Sequence, residues 1–161
     1  MNRSVHYFKF RGEQIGSPEG FNLYKESPMS TVQTQGIHHL GLTVPSIHES
    51  VEFFTTALGF SVVGEKPDYP ATFVSDGHIM LTLWQAKTDT PVNFNRHENI
   101  GLHHFAIQVR DVEALQQAYE SVKNYSGVEV EFSPEDLNGL PAKHMMCLIP
   151  GGIRMEIIAG A

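Results

Sequence analysis

The hydrophobic pattern of residues 36–86 changes its period in a fixed order. Alternating apolar positions predict a half-buried strand in the segment IHHLGLTV, residues 37–44. A helical period follows, and its apolar face consists of Ile47, Val51, Phe54 and Leu58. Three further strands are predicted at residues 60–66, 71–76 and 78–85. The predicted order is therefore strand, helix and three strands, or βαβββ.

The ends of the predicted helix carry their own signals. Ser46, with Glu49 three residues later, forms a capping box, which predicts that the helix begins here. Gly59 is a natural stop, because glycine adopts the left-handed conformation that ends many helices. Pro45 ends the preceding strand, since proline has no amide hydrogen to donate to a sheet.

The same order returns 65 residues later, beginning with the segment LHHFAIQV at residues 102–109. Asp111 can cap a second helix, whose predicted inner face is Val112, Leu115, Ala118 or Tyr119, and Val122. Strands are predicted at residues 128–132, 144–149 and 154–159. The chain thus contains two βαβββ modules, residues 36–86 and 101–161, joined by a polar linker at residues 87–100.

Residues 1–35 differ from the rest and are interpreted as an N-terminal extension. They carry scattered Gly, Pro and Ser without a sustained helical period, although Ser4–Phe10 is compatible with a strand.

Composition narrows the class of protein. The chain has 161 residues, 41% of them hydrophobic, which suits one globular domain with a real core. A net charge of −7 argues against nucleic acid and anionic membranes as partners. No apolar run approaches the ~18 residues of a membrane span. Cys147 is the single cysteine, which favours a reducing, cytoplasmic location.

Strand parity separates the two histidines of each doublet. His38 and His103 share a face with large apolar residues, which we expect to pack on the helices. His39 and His104 lie on the opposite face, where small or polar neighbours leave room beside an imidazole. Equivalent histidines in two modules could converge if the modules pair about a pseudo-twofold axis.

Glu156 supplies the third candidate donor. It lies inside the apolar strand RMEIIA, where an unpaired carboxylate would be costly, so we expect a cation or a hydrogen-bond partner. Two imidazoles and one carboxylate form a typical set of metal ligands with open positions. We match Met80 in the first module to Glu156 and expect Met80, Thr82, Trp84 and His78 to line a pocket.

These motifs resemble the vicinal oxygen chelate family, which includes glyoxalase I, extradiol dioxygenases, fosfomycin-resistance proteins and bleomycin-resistance proteins. The resemblance covers the two openings, from HHLGLTV and HHFAIQV, and the closing PGGIRMEII. It implies an α+β fold in which paired βαβββ modules form a cup-shaped mixed sheet with helices on the outer face. It also implies one divalent metal ion (Fe, Mn, Ni, Zn or Co) held by His39, His104 and Glu156.

The resemblance implies three possible functions. The leading one is a glyoxalase-like enzyme of the lyase or isomerase type, in which the substrate chelates the metal through neighbouring oxygens and Glu156 is catalytic. Glyoxalase I, however, has a carboxylate where we match Met80. The alternatives are an Fe(II)-dependent extradiol-type dioxygenase and a metal-free ligand-binding protein of the bleomycin-resistance type.

The expected partners are a small-molecule substrate and a second copy of the chain. Family members commonly form dimers, and strand-rich modules have open edges that proteins usually cover or pair. The cup could be closed within one chain or shared between two chains, since the linker can span ~46 Å when extended.

Overall fold

The structure is a computed structural model that describes residues 34–160. Most of the predicted extension, including the segment Ser4–Phe10, lies outside the described residues. Residues 36–161 form one compact unit. Its elements are β1 (His39–Val44), α1 (Ile47–Leu58), β2 (Ser61–Lys66), β3 (Ala71–Ser75), β4 (Met80–Gln85), β5 (Phe105–Val109), α2 (Val112–Val122), β6 (Glu129–Asp136), β7 (Lys143–Ile149) and β8 (Ile153–Ala159).

Each module folds in the predicted order, and the α+β two-module fold is confirmed. The first module forms a sheet of order β1-β4-β3-β2 and the second a sheet of order β5-β8-β7-β6. The first and last strands of each module pair in parallel, whereas the other neighbours are antiparallel. The helix is the crossover that parallel pairing requires. The last strand of each module therefore lies beside its first strand.

The helix ends follow the sequence signals. The Ser46 hydroxyl accepts a hydrogen bond from the amide of Glu49, and Gly59 ends α1 with a left-handed φ of 71°. In α2 the Asp111 carboxylate accepts from the amide of Ala114 at 2.8 Å. Both caps satisfy amide groups that have no partner within the first helical turn.

The core is shared by the two modules. Phe53 and Phe54 of α1 are fully buried, as are Leu115 and Val122 of α2. The ring of Phe53 packs on Tyr125 with centroids 5.2 Å apart, and the Ser121 hydroxyl donates to the Ala57 carbonyl oxygen. Packing between the helices therefore joins the two modules, in addition to the covalent linker.

Two details of the predicted helix faces differ from the structure. Phe53 is buried although it lies outside the predicted face, because the second module covers it through Tyr125. The sequence predicts Val112 on the inner face of α2, but 48% of its surface is exposed because it is the first residue of the helix.

Cys147 lies in the middle of β7 and is completely buried. Burial, followed by the nearby charge of Glu131, raises the pKa of its thiol to about 11. The side chain thus behaves as a small apolar core residue. Among the described residues, no helix is both long and apolar enough to cross a membrane.

We predict that Phe53→Ala destabilises the fold by about 3–5 kcal/mol, because it removes a buried ring that both modules contact. Val63→Ala is the control, since 56% of Val63 is exposed and its loss should change stability by less than about 0.5 kcal/mol. Urea denaturation measures both values, and equal effects of the two substitutions would contradict the shared core.

Candidate metal centre

The strand register decides which residues of the two modules are equivalent. In the first module Gly41 pairs with Thr82 and His39 pairs with Met80. In the second module Ala106, the equivalent of Gly41, pairs with Glu156. Thr82 is therefore the counterpart of Glu156, and the sequence-based match to Met80 is wrong by two residues. Met80 instead corresponds to Arg154.

Glu156 has the partners that its burial demands. Only 9% of the residue is exposed, and Nε2 of His104 lies 3.1 Å from its Oε2. On the other side, Nδ1 of His144 lies 2.6 Å from its Oε1. The predicted need for a cation or hydrogen-bond partner is confirmed. His144 was given no role from the sequence, yet it is the nearer of the two imidazoles.

The contact between His104 and Glu156 fits two neighbouring metal ligands. Imidazole nitrogen and carboxylate oxygen both lie about 2.0–2.2 Å from an ion such as Zn²⁺. Two such donors at the roughly 90° angle of octahedral coordination are then about 2.8–3.1 Å apart. The observed separation of 3.1 Å falls in that range. The donor types and their spacing thus fit a divalent metal.

Both histidine doublets adopt the same local arrangement. The Nδ1 atoms of His38 and His39 are 3.0 Å apart, and those of His103 and His104 are 2.8 Å apart. The rings meet edge to face in both pairs, with centroids 5.3 and 5.1 Å apart. In the second doublet, Nε2 of His104 faces Glu156 while Nδ1 faces its histidine neighbour.

The predicted donors are only partly assembled. His104 and Glu156 come together, whereas His39 lies on the sheet of the first module, beside Met80. Within residues 34–160, no three His, Cys, Asp or Glu side chains form a group that could hold one metal ion. His78 is exposed in the turn before β4, where it borders a groove against Ala106–Arg110 rather than the paired donors.

The corresponding face of the first module is aromatic. The indole Nε1–H of Trp84 donates to the Thr82 hydroxyl at 2.9 Å, and the ring lies next to Tyr69 and Phe73. Gly41 makes room for this arrangement, because a Cβ atom at this position would lie 3.3 Å from the Thr82 hydroxyl oxygen. Thr82 and Trp84 thus belong to the same surface, as expected from parity.

A cleft of about 560 Å³ lies between the modules, a size suited to a small ligand. Gly41 and Thr43 line one side, and His103 and Arg154 line the other. Burial, and then the charge of Arg154, lowers the pKa of His103.

Two arginines at this cleft share one carboxylate. Arg154 makes a bidentate pair with Glu131, and Arg96 of the linker donates to the same carboxylate at 3.0 Å. The hydrogen bond from Arg154 is the largest cause of a lowered pKa for Glu131. The two guanidinium groups leave this part of the cleft with a positive charge.

Comparisons with known proteins agree with this fold. The model of the Glyoxalase/Bleomycin resistance protein/Dioxygenase superfamily matches residues 36–157, and the chain belongs to that family. Its members are mostly enzymes that bind small-molecule substrates, and they commonly use a divalent metal ion and often form dimers.

Three relatives illustrate the range of the family. A 2-epi-5-epi-valiolone epimerase from Actinomyces sp is 29% identical over 145 residues, covering 76% of this chain and 78% of the epimerase. A catechol-2,3-dioxygenase from Bacillus subtilis (strain 168) is 31% identical over 99 residues, 59% of this chain but only 33% of that enzyme. The structure of a glyoxylase/bleomycin resistance protein/dioxygenase domain from Frankia sp. EAN1pec has a TM-score of 0.68 at 18% identity, covering 80% and 94% of the two chains.

We predict that the Glu131 ion pairs make the free energy of unfolding decrease at acidic pH. Folding lowers the pKa of the Glu131 carboxyl group from its ordinary value of 4.5, so its ion pairs stabilise the protein fully at a pH above 4.5. That contribution is lost as the pH falls through the lower pKa of the folded state. Glu131→Gln should destabilise the protein at pH 7 by about 1–3 kcal/mol, and the difference from wild type should shrink below pH 4.5.

Denaturant unfolding of the two proteins across pH 3–7 (an approximate range set by carboxyl titration) measures this difference. Glu135→Gln is the control, because Glu135 lies on the same strand but is exposed. A constant difference between wild type and Glu131→Gln at every pH would contradict the assignment.

Proposed function

We propose that this protein is a divalent-metal-dependent enzyme of the glyoxalase-like lyase or isomerase type. Its substrate is a small molecule that chelates the metal through neighbouring oxygens. The observation that carries the proposal is the pairing of His104 with a buried Glu156 at a spacing suited to adjacent metal ligands. His39, at the equivalent place in the first module, is the third donor.

The metal, when bound, would polarise the substrate oxygens and stabilise negative charge that develops on them. The protein residues then have separate tasks. Two imidazoles and a carboxylate leave open positions for the substrate. Glu156 is the candidate base that takes a proton from the substrate carbon, since a carboxylate at a metal can hold a proton during such a transfer.

The register favours an isomerase over authentic lactoylglutathione lyase chemistry. Glyoxalase I uses two opposed carboxylates, and the counterpart of Glu156 here is Thr82, whose hydroxyl already accepts a hydrogen bond from Trp84. One carboxylate is therefore available at the two equivalent positions. The similarity to an epimerase over 76% of the chain supports the same class of reaction.

We predict that the purified protein binds one divalent metal ion per chain through His39, His104 and Glu156. Substituting any of the three by Ala should reduce the metal content measured by elemental analysis after dialysis, because each removes one of three protein ligands. His48→Ala is the matched control, since His48 is an exposed histidine on α1.

Metal content that stays unchanged in Glu156→Ala and His104→Ala would overturn the assignment. A wild-type protein that takes up no Fe(II), Mn, Co, Ni or Zn would favour the metal-free binding protein instead.

An Fe(II)-dependent dioxygenase is the second candidate. It is supported by the donor set of two histidines and one glutamate and by the 31% identity to a catechol-2,3-dioxygenase over 99 residues. Oxygen uptake by the Fe(II)-loaded protein with catechol separates the two reactions. The isomerase proposal requires that no oxygen be consumed.

We further propose a homodimer. The strands β1, β2, β5 and β6 are the edges of the two sheets, and unpaired edges are usually covered. Sedimentation equilibrium at micromolar concentration should therefore give about twice the 18.0 kDa of one chain. A mass of one chain would disprove the dimer.

Mixed dimers reveal which modules form a site. When His39→Ala and Glu156→Ala chains are denatured and refolded together, a site built from two chains regains one intact copy in each mixed dimer. A site closed within one chain regains none. Metal content of the refolded mixture, compared with each variant alone, distinguishes the two arrangements.

A further inference from the structure

We infer that three histidines, His38, His103 and His144, form a supporting layer in which each orients one metal donor. His38 contacts His39, His103 contacts His104, and His144 contacts Glu156, all through Nδ1 at 2.6–3.0 Å. This inference rests on the proposed metal function and assigns a role to the residues next to the donors. They are positioning residues, because they act through the donors.

The strongest case is His144. A carboxylate oxygen accepts hydrogen bonds, so the Nδ1–H of His144 donates to Oε1 of Glu156 across 2.6 Å. The imidazole is itself fixed, since only 13% of its side chain is exposed and its ring packs on Phe132 with centroids 5.0 Å apart. His144 thus occupies Oε1 of Glu156, and Oε2, on the side of His104, is the oxygen that would hold a metal.

In each doublet, the first histidine orients the imidazole donor that follows it, as His144 orients Glu156. A neutral imidazole has one N–H and one lone pair, and a metal requires the lone pair. Nε2 of His104 lies on the side of Glu156, so if a metal took the lone pair of this nitrogen, Nδ1 would carry the hydrogen and could donate to Nδ1 of His103. The same contact at His38 and His39 leaves Nε2 of His39 free of this bond. We infer that the first histidine of each doublet, by accepting at Nδ1, favours the Nδ1–H tautomer of the second.

The repeat explains why the two supports look alike. The doublets stand at equivalent positions of β1 and β5 and have nearly the same ring geometry, with interplanar angles of 86° and 73°. The position equivalent to His144 on the first sheet is Ala71, and Thr82 there replaces Glu156, so no carboxylate needs orienting. At the equivalent positions described here, each donor thus has a supporting histidine, and the position without a donor has none.

Paired substitutions of nearly equal shape test this inference. Leucine at position 144 or 103 removes the hydrogen bond, whereas asparagine, of similar size, can restore it as donor or acceptor. We expect His144→Leu and His103→Leu to weaken Co(II) affinity by about 10–100-fold, the usual effect of losing such a partner. His144→Asn and His103→Asn should recover most of the affinity. His48→Leu and His97→Leu are controls, because both histidines are exposed and away from the donors.

The visible absorption of bound Co(II) provides a second readout, since it reports ligand geometry rather than stability. We expect the Leu variants to shift the spectrum and the Asn variants to resemble wild type, with thermal unfolding measured in parallel. Leu variants that bind Co(II) with wild-type affinity and spectrum would overturn the inference while Glu156→Ala still loses the metal. If Glu156→Ala also keeps the metal, the proposed function itself fails. If a Leu variant does not fold, an Asn variant that binds Co(II) weakly would equally refute the supporting role.

Discussion

The parallel pairing of first and last strands is the constraint on which the rest of the molecule depends. Parallel neighbours need a crossover, so each module must place a helix between them, and the helices then pack together in one core. The same pairing sets Ala106 opposite Glu156 and so brings His104, two residues earlier, within reach of that carboxylate. A shift of β8 by one residue would turn Glu156 toward the helices and leave its charge in the core.

Much of the fold follows from periodicity, because a strand or helix imposes its own spacing on apolar residues. The ten elements, both N-caps and the stop at Gly59 were all predictable from local signals. The burial of Phe53 was not, since it depends on Tyr125 from the other module. Contacts between distant segments leave little trace in a single sequence.

The candidate site was likewise predictable only where local signals decide. Parity selected His104, and the cost of an unpaired carboxylate selected Glu156, and the two side chains do meet. Met80 and Thr82 share a face, however, so parity could not choose between them. The choice between Met80 and Thr82 depends on the length of the turn before the last strand, and this turn differs in length between the two modules. His144 was detectable in principle. A tight hairpin at Pro150–Gly152 pairs Met146 with Glu156, which puts His144 diagonally beside that carboxylate.

The two modules share one architecture but differ in the chemistry of their surfaces. The second module holds the charged groups, with Glu156 beside two imidazoles and Glu131 beside two guanidinium groups. The corresponding surface of the first module is aromatic, with Trp84 next to Tyr69 and Phe73. A ligand between such faces would meet a polar wall and an apolar wall, which orients a molecule that has one polar and one apolar side.

Trp84 also gives the protein an optical property. It is the single tryptophan of the chain, and its indole is hydrogen-bonded to Thr82, the counterpart of Glu156. All tryptophan emission therefore originates beside Gly41, which lines the cleft. The fluorescence of the intact protein is thus a local signal, and a change of polarity at this one surface alters the emission of the whole molecule.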